Sequence, residues 1–191
     1  IFCLASLALL SAAATPRALA DDLFVIGFED YGAGDLVETQ PPQSEQFRWQ
    51  VTKGTGEVQP DVAHGGKQAL RLGPARSAVT RRFDGGNGIQ PLSAQTQYYD
   101  FWVYPDAESS DYIVVARLTD VTGSTFADIH FASGGALKVM GKPENEKEAK
   151  LMNVDGAWES RQWNRVTLKL DVAAQKFELF LGGKSCTKSP I

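Results

Sequence analysis

The chain has little cysteine, histidine or methionine, with two of each in 191 residues. Cys3 sits in the apolar opening run and Cys186 near the far end. Once the opening is removed, no internal disulfide can form, and the fold must rest on a hydrophobic core. A basic excess is also missing: 19 Lys+Arg stand against 23 Asp+Glu, for a net charge of −4. Nucleic acid and anionic membrane surfaces both select basic partners, so neither is an expected partner. Beyond the opening, no apolar stretch approaches the roughly 20 residues that cross a bilayer, so no membrane insertion is expected for the mature chain. No Gly-x-Ser-x-Gly elbow and no His-Glu-x-x-His zinc helix occurs anywhere.

What is present begins with an export pattern. Residues 1–14 are apolar, rich in Ala and Leu, and carry no charge; Pro16 and Arg17 then break the run. Ala18-Leu19-Ala20 is a small-x-small triplet of the kind signal peptidase accepts, and Asp21-Asp22 would open the mature chain. Residues 1–20 are therefore expected to be a signal peptide, and the product to be secreted or periplasmic. Because the chain starts at Ile1 rather than Met, the basic region that precedes such a run is expected to be missing. Removing Arg17 makes the mature chain one charge more negative. Residues 21–191 suit one domain, and at that size roughly 70% of the unfolded surface can be buried.

The mature sequence reads as strands. Phe24-Val-Ile-Gly-Phe28 is a short apolar run, and Phe47, Trp49 and Val51 alternate with polar residues. Further strands are predicted over 68–72, 77–83, 97–104, 112–120, 125–131, 136–140, 163–170 and 176–181. Each is short, rich in β-branched or aromatic residues, and bounded by Gly, Pro, Asn or Asp. Turns are predicted at 84–88, 119–123, Gly134-Gly135 and Gly182-Gly183, where glycine makes positive φ cheap. The charged stretch 143–152 competes as one or two helical turns and is read as an excursion between strands. The expected class is all-β, a two-sheet antiparallel sandwich or a barrel.

The order of certain pieces is specific. Phe28-Glu29 ends the first strand, and Ala63-His-Gly-Gly-Lys-Gln-Ala-Leu-Arg-Leu72 comes later. Tyr99-Asp-Phe-Trp-Val-Tyr-Pro105, Trp163-Asn-Arg-Val-Thr-Leu-Lys-Leu-Asp171 and Phe177-Glu-Leu-Phe-Leu-Gly-Gly183 follow. Together they resemble the concanavalin-like jelly rolls of exported bacterial proteins, especially laminin-G-like and carbohydrate-binding modules. The resemblance implies an antiparallel jelly roll with a ligand site on a concave sheet face. It also implies a last strand after Gly182-Gly183. The chain stops at Ile191, so truncation is expected, with one sheet short of an edge partner and Cys186 outside the natural domain. In related modules an early glutamate and backbone carbonyls hold structural calcium, an ion that takes six to eight oxygens. Glu29, with carbonyls near residues 65–67, is the matching candidate; an ordinary surface glutamate is the alternative.

Strand alternation sorts the remaining candidates. Tyr99, Phe101 and Val103 form the apolar set of their strand, which leaves Tyr98, Asp100, Trp102 and Tyr104 on the other face. Val114, Ala116 and Leu118 are expected inward, with Ile113, Val115 and Arg117 outward. Ala127, Ile129 and Phe131 are expected inward, with Phe126, Asp128 and His130 outward. If these strands are neighbours, Asp100, Trp102, Arg117, Asp128 and His130 share one face. Aromatic rings suit the C–H faces of sugars, and Asp and Arg suit their hydroxyls. The alternative is that the 143–152 excursion covers the face and Trp102 packs beneath it.

The expected function is therefore an exported, non-catalytic carbohydrate-binding module for polysaccharide or glycan. A lyase or hydrolase is the enzymatic alternative, and a structural or adhesive sandwich is the third. Asp128-Ile129-His130 is similar to the Gln-Ile-His strand of jelly-roll alginate lyases, but that family's arginine-rich and late tyrosine motifs are not found. The Glu-x-Asp-x-x-Glu strand of laminarinase-like glycosidases is absent, so the paired carboxylates of retaining hydrolysis are not placed.

Overall fold

The computed structural model describes residues 28–36, 49–73, 78–81, 96–106, 113–119, 125–141, 147–171, 173–188 and 190–191. The expected signal, residues 24–27, Phe47, the 84–88 turn, residues 120–123 and the start of the 143–152 excursion lie outside them.

Twelve strands run through the described residues: β1 (Trp49–Lys53), β2 (Gly56–Gln59), β3 (Ala69–Leu72), β4 (Ala78–Arg81), β5 (Thr96–Val103) and β6 (Ile113–Thr119), then β7 (Thr125–Phe131), β8 (Ala136–Gly141), β9 (Lys150–Ala157), β10 (Asn164–Asp171), β11 (Lys176–Leu181) and β12 (Lys184–Ser185). All pairings are antiparallel. Two four-stranded sheets, β12-β11-β10-β5 and β6-β7-β8-β9, form the body, and β1-β4 and β2-β3 are two-stranded. The chain is all-β, as its turn-punctuated pattern predicts, and it does not close into a barrel.

The core forms where the two large sheets face each other. Ala127, Ile129, Phe131, Leu137 and Val139 come from one sheet and Val166, Leu168, Leu170, Phe177 and Leu179 from the other; all are buried. They occupy alternate positions of β7, β8, β10 and β11, so one face of each sheet is apolar and the other is free for polar groups. Trp158 closes one end. Its ring stacks on Phe131 at 5.2 Å and 7°, and its Nε1–H donates to the Ala132 carbonyl at 2.8 Å. That bond gives the buried indole donor a partner.

Two sequence expectations need correction. In β6 the alternation breaks: Val114 pairs with His130 and Ala116 with Ile129, leaving Val115 as an extra residue. This bulge puts both Val115 and Ala116 against the core, joined there by Ile113. Val114, expected inward, is exposed. The last three residues of the supposed 143–152 excursion, 150–152, open strand β9, which is paired along β8. Its Met152 and Val154 pack on the core, while the polar positions between them hid the pattern.

Beyond β11 the described residues turn back on it. Gly182 and Gly183 have φ of 56° and 79°, which makes the tight two-residue turn that joins β11 to β12. The segment beyond then follows β11. Cys186 N–H donates to the Leu179 carbonyl at 2.8 Å, and Phe177 and Ile191 exchange N–H···O bonds at 3.0 and 2.9 Å. Lys184, Ser185, Cys186 and Ile191 thus lie along the edge of β11. Cys186 is buried in the main core, and its carbonyl accepts from Asp155 N–H of β9 at 2.9 Å.

Leu168→Ala should lower stability by about 3 kcal/mol, seen as a lower urea midpoint with an unchanged slope. Leu36→Ala, at an exposed position, should change it by less than about 0.5 kcal/mol. Equal effects at the two positions would contradict this placement of the core.

Candidate functional site

The five residues expected to meet on one face divide between two. β5 pairs with β10 in one sheet, whereas β6 and β7 belong to the other. Asp100 and Trp102 therefore lie on the outer face of the first sheet, and Arg117, Asp128 and His130 on the outer face of the second. The shared core separates them. The composite face is not formed, because the chain crosses from one sheet to the other between β5 and β6.

The β5 face carries the exposed group. Tyr98 and Trp102 are 61% and 42% exposed, about 13 Å apart along the strand. Asp100 lies between them. Register places Arg165 opposite Trp102, Thr167 opposite Asp100 and Lys169 opposite Tyr98. Arg165 Nε donates to both oxygens of Asp100 at 3.1 Å, Arg165 Nη2 donates to Oδ2 at 2.7 Å, and the Thr167 hydroxyl donates to Oδ1 at 2.7 Å. The Arg165 hydrogen bonds, helped by Thr167, hold the Asp100 carboxyl below its usual 3.8 against a smaller opposing effect of burial. Lys169 in turn bonds Glu178 at 2.5 Å.

An aromatic cluster completes this end of the sheet. His64, on the turn between β2 and β3, stacks on Trp102 at 3.7 Å and 21°. It also meets Trp163 edge-on at 5.4 Å, and Trp163 meets Tyr104 edge-on at 5.5 Å. Residues 150–152 of the 143–152 region belong to strand β9, which lies in the other sheet.

Two polar devices hold the loops that carry these rings. The Asn164 amide donates to the Glu159 and Gln162 carbonyls and accepts from Glu159 N–H, all within 2.9 Å, which folds the turn leading to Trp163. Gln59 holds Val62 through its carbonyl at 2.6 Å and its N–H at 3.0 Å, which starts the turn leading to His64.

Glu29, from the segment before β1, lies against that same turn. Its carboxylate accepts from Lys67 N–H at 3.0 and 3.1 Å and from Gln68 N–H at 3.2 Å. Two successive backbone donors face it. A calcium ion needs converging oxygens, and this arrangement does not fit one. Among the described residues no three His, Cys, Asp or Glu side chains converge.

On the opposite sheet, Asp128 and His130 are buried, with side chains 5% and 7% exposed, while Arg117 is half-exposed. Arg117 donates to Asp128 Oδ2 through Nε at 2.8 Å and Nη2 at 2.6 Å. His130 Nε2 lies 3.3 Å from Asp128 Oδ1. Burial pushes the imidazole below its usual 6.5, and Asp128 only partly opposes this. Asp128 and His130 are thus withdrawn from solvent, while Arg117 stays half in it.

Strand alternation alone did not reveal His64, Trp163, Arg165 and Thr167. Arg165 and Thr167 sit at the polar positions of β10, so their facing was readable. Their pairing with β5 was not. No family model matches this chain, and comparison with curated proteins and with solved structures returns no match.

The buried imidazole has a pH consequence. Below about 6.5 the unfolded chain binds a proton on His130 that the folded chain resists. Stability should therefore be full above that pH and fall as pH drops from it towards the lower folded value. His130→Asn should flatten the slope below about pH 6.5 in denaturation curves. An unchanged slope would remove His130 as its source.

Proposed function

We propose that the chain is an exported, non-catalytic carbohydrate-binding sandwich of the concanavalin-like jelly-roll kind. Its polysaccharide or glycan lies across the outer face of β5 and β10. One observation carries the reading: an exposed tryptophan beside a solvent-facing carboxylate–guanidinium–hydroxyl network. A pyranose ring presents an apolar C–H face, which suits Trp102, and equatorial hydroxyls, which suit Asp100, Arg165 and Thr167. Asp100 and Arg165 already hold each other in a planar, bidentate geometry, so ligand hydroxyls meet fixed partners. The placement of Tyr98 and Trp102 at either end of the network suits an extended chain better than a single ring.

The lyase alternative draws on His130. Its burial beneath the second sheet's outer face argues against proton abstraction from a polymer, which needs the base within hydrogen-bond reach of its substrate. No calcium step enters this reading. Export is part of the proposal through the signal pattern of residues 1–20.

On a polysaccharide panel, Trp102→Ala should weaken binding about tenfold or more, and Arg165→Ala several-fold. Arg117→Ala, on the opposite face, should leave affinity unchanged. Full binding by Trp102→Ala would sink this site. Failure of the parent protein to bind any member of a broad panel would sink the function.

A further inference from the structure

The turn over Trp102 has almost no apolar anchorage of its own. His64, Gly65, Gly66 and Lys67 are all exposed. What fixes the turn is a set of polar bonds to residues 28–31. Glu29 accepts from two successive backbone N–H groups, those of Lys67 and Gln68. Such bonds to a charged acceptor are about twice as strong as neutral ones. The Gln68 side chain returns the contact, donating from Nε2 to the Tyr31 carbonyl at 2.7 Å and to the Phe28 carbonyl at 3.3 Å.

Two glycines make the approach possible. Gly65 takes a φ of 72°, which reverses the chain immediately after His64. A Cβ on Gly66 would collide with Glu29 Oε1, so any larger residue there pushes the flexible carboxylate away from its place against the turn. His64 then projects onto the Trp102 ring at 3.7 Å.

We infer that Glu29 is a positioning residue for the Trp102 platform, acting through the 64–67 turn. The inference deepens the carbohydrate-binding reading and rests on it for its effect on affinity. Glu29 touches no ligand. It fixes His64 against Trp102, so that a sugar arriving at the platform meets one wall geometry instead of a mobile loop. Loss of that order costs affinity through the entropy of fixing the loop on binding.

Only two histidines exist in the chain, which makes the test direct. The His64 ring protons, assigned with His64→Gln, should show a ring-current shift from Trp102 in the proton NMR spectrum. Glu29→Ala should move them towards random-coil positions and weaken polysaccharide binding by about three- to tenfold. Glu29→Gln keeps a carbonyl oxygen able to accept from both N–H groups and should restore most of both signals. Gly66→Ala displaces the carboxylate without removing it and should reproduce Glu29→Ala, which guards against a fold-wide effect of either change. Adding calcium or a chelator should leave the His64 shift in place.

An unmoved His64 shift in both Glu29→Ala and Gly66→Ala overturns the inference. So does a calcium-dependent shift that Glu29→Gln abolishes, which would make Glu29 a cation ligand. If the parent protein binds no polysaccharide, the carbohydrate reading fails, and the His64 shift alone then decides for or against Glu29 as the anchor of the turn.

Discussion

A β-strand offers each face only every second side chain, and here both large sheets devote one whole face to the other. Ile129, Phe131 and Val139 meet Val166, Leu168 and Leu179 with no polar group among them. Burial of such side chains contributes roughly 1.5–3 kcal/mol each before entropy is counted, so this contact dominates folding. It also dictates where function can sit. Each sheet keeps only its outer face for polar chemistry, and the two outer faces point in opposite directions. Residues that look alike in sequence are divided by the strand pairing, and no side chain can bridge the core between them.

Away from the core, position is set by side chains bonding to backbone. Asn164, Gln59, Gln68 and Glu29 each hold a turn in this way. One such bond adds only about 1 kcal/mol net, but an unmade one leaves a polar group without a partner. The turns carrying His64 and Trp163 lie outside the main core and depend on such bonds for their shape. Both turns deliver an aromatic ring to the same end of β5 and β10. The candidate site is therefore an outcome of loop anchoring laid over a rigid sheet.

The sequence was legible where local rules decide. The alternation of β5, β7 and β10, the Gly182-Gly183 hairpin and the all-β class all follow from side-chain period and turn chemistry. It was illegible where decisions are non-local. The β6 bulge inserts one residue, Val115, so Ile113 and Val114 before it face opposite to the expected pattern, while Ala116 and Leu118 beyond it keep to it. Strand β9 carries Asn153, Asp155 and Gly156 among its apolar residues, and it reads as a strand only once β8 is beside it. Sheet membership was the costliest gap. Adjacent strands in sequence often pair, but β5 and β6 do not, and that one crossover divided the expected site.

Two of the carboxylate–guanidinium pairs, Arg117–Asp128 and Arg165–Asp100, show how position converts one chemistry into two roles. Asp128 is removed from water, so its charge must be matched by Arg117, and removing the partner would leave a desolvated ion. That pair is committed to the fold. Asp100 and Arg165 are 39% and 46% exposed, so solvent screens them and their mutual attraction contributes little to stability. Weak commitment to folding is what leaves their remaining hydrogen-bonding capacity open to a ligand. The aromatic ring beside them, Trp102, is likewise one of the few large apolar side chains that the core does not claim. A face whose polar and aromatic groups are ordered yet contribute little to folding is one whose composition is free to answer to recognition.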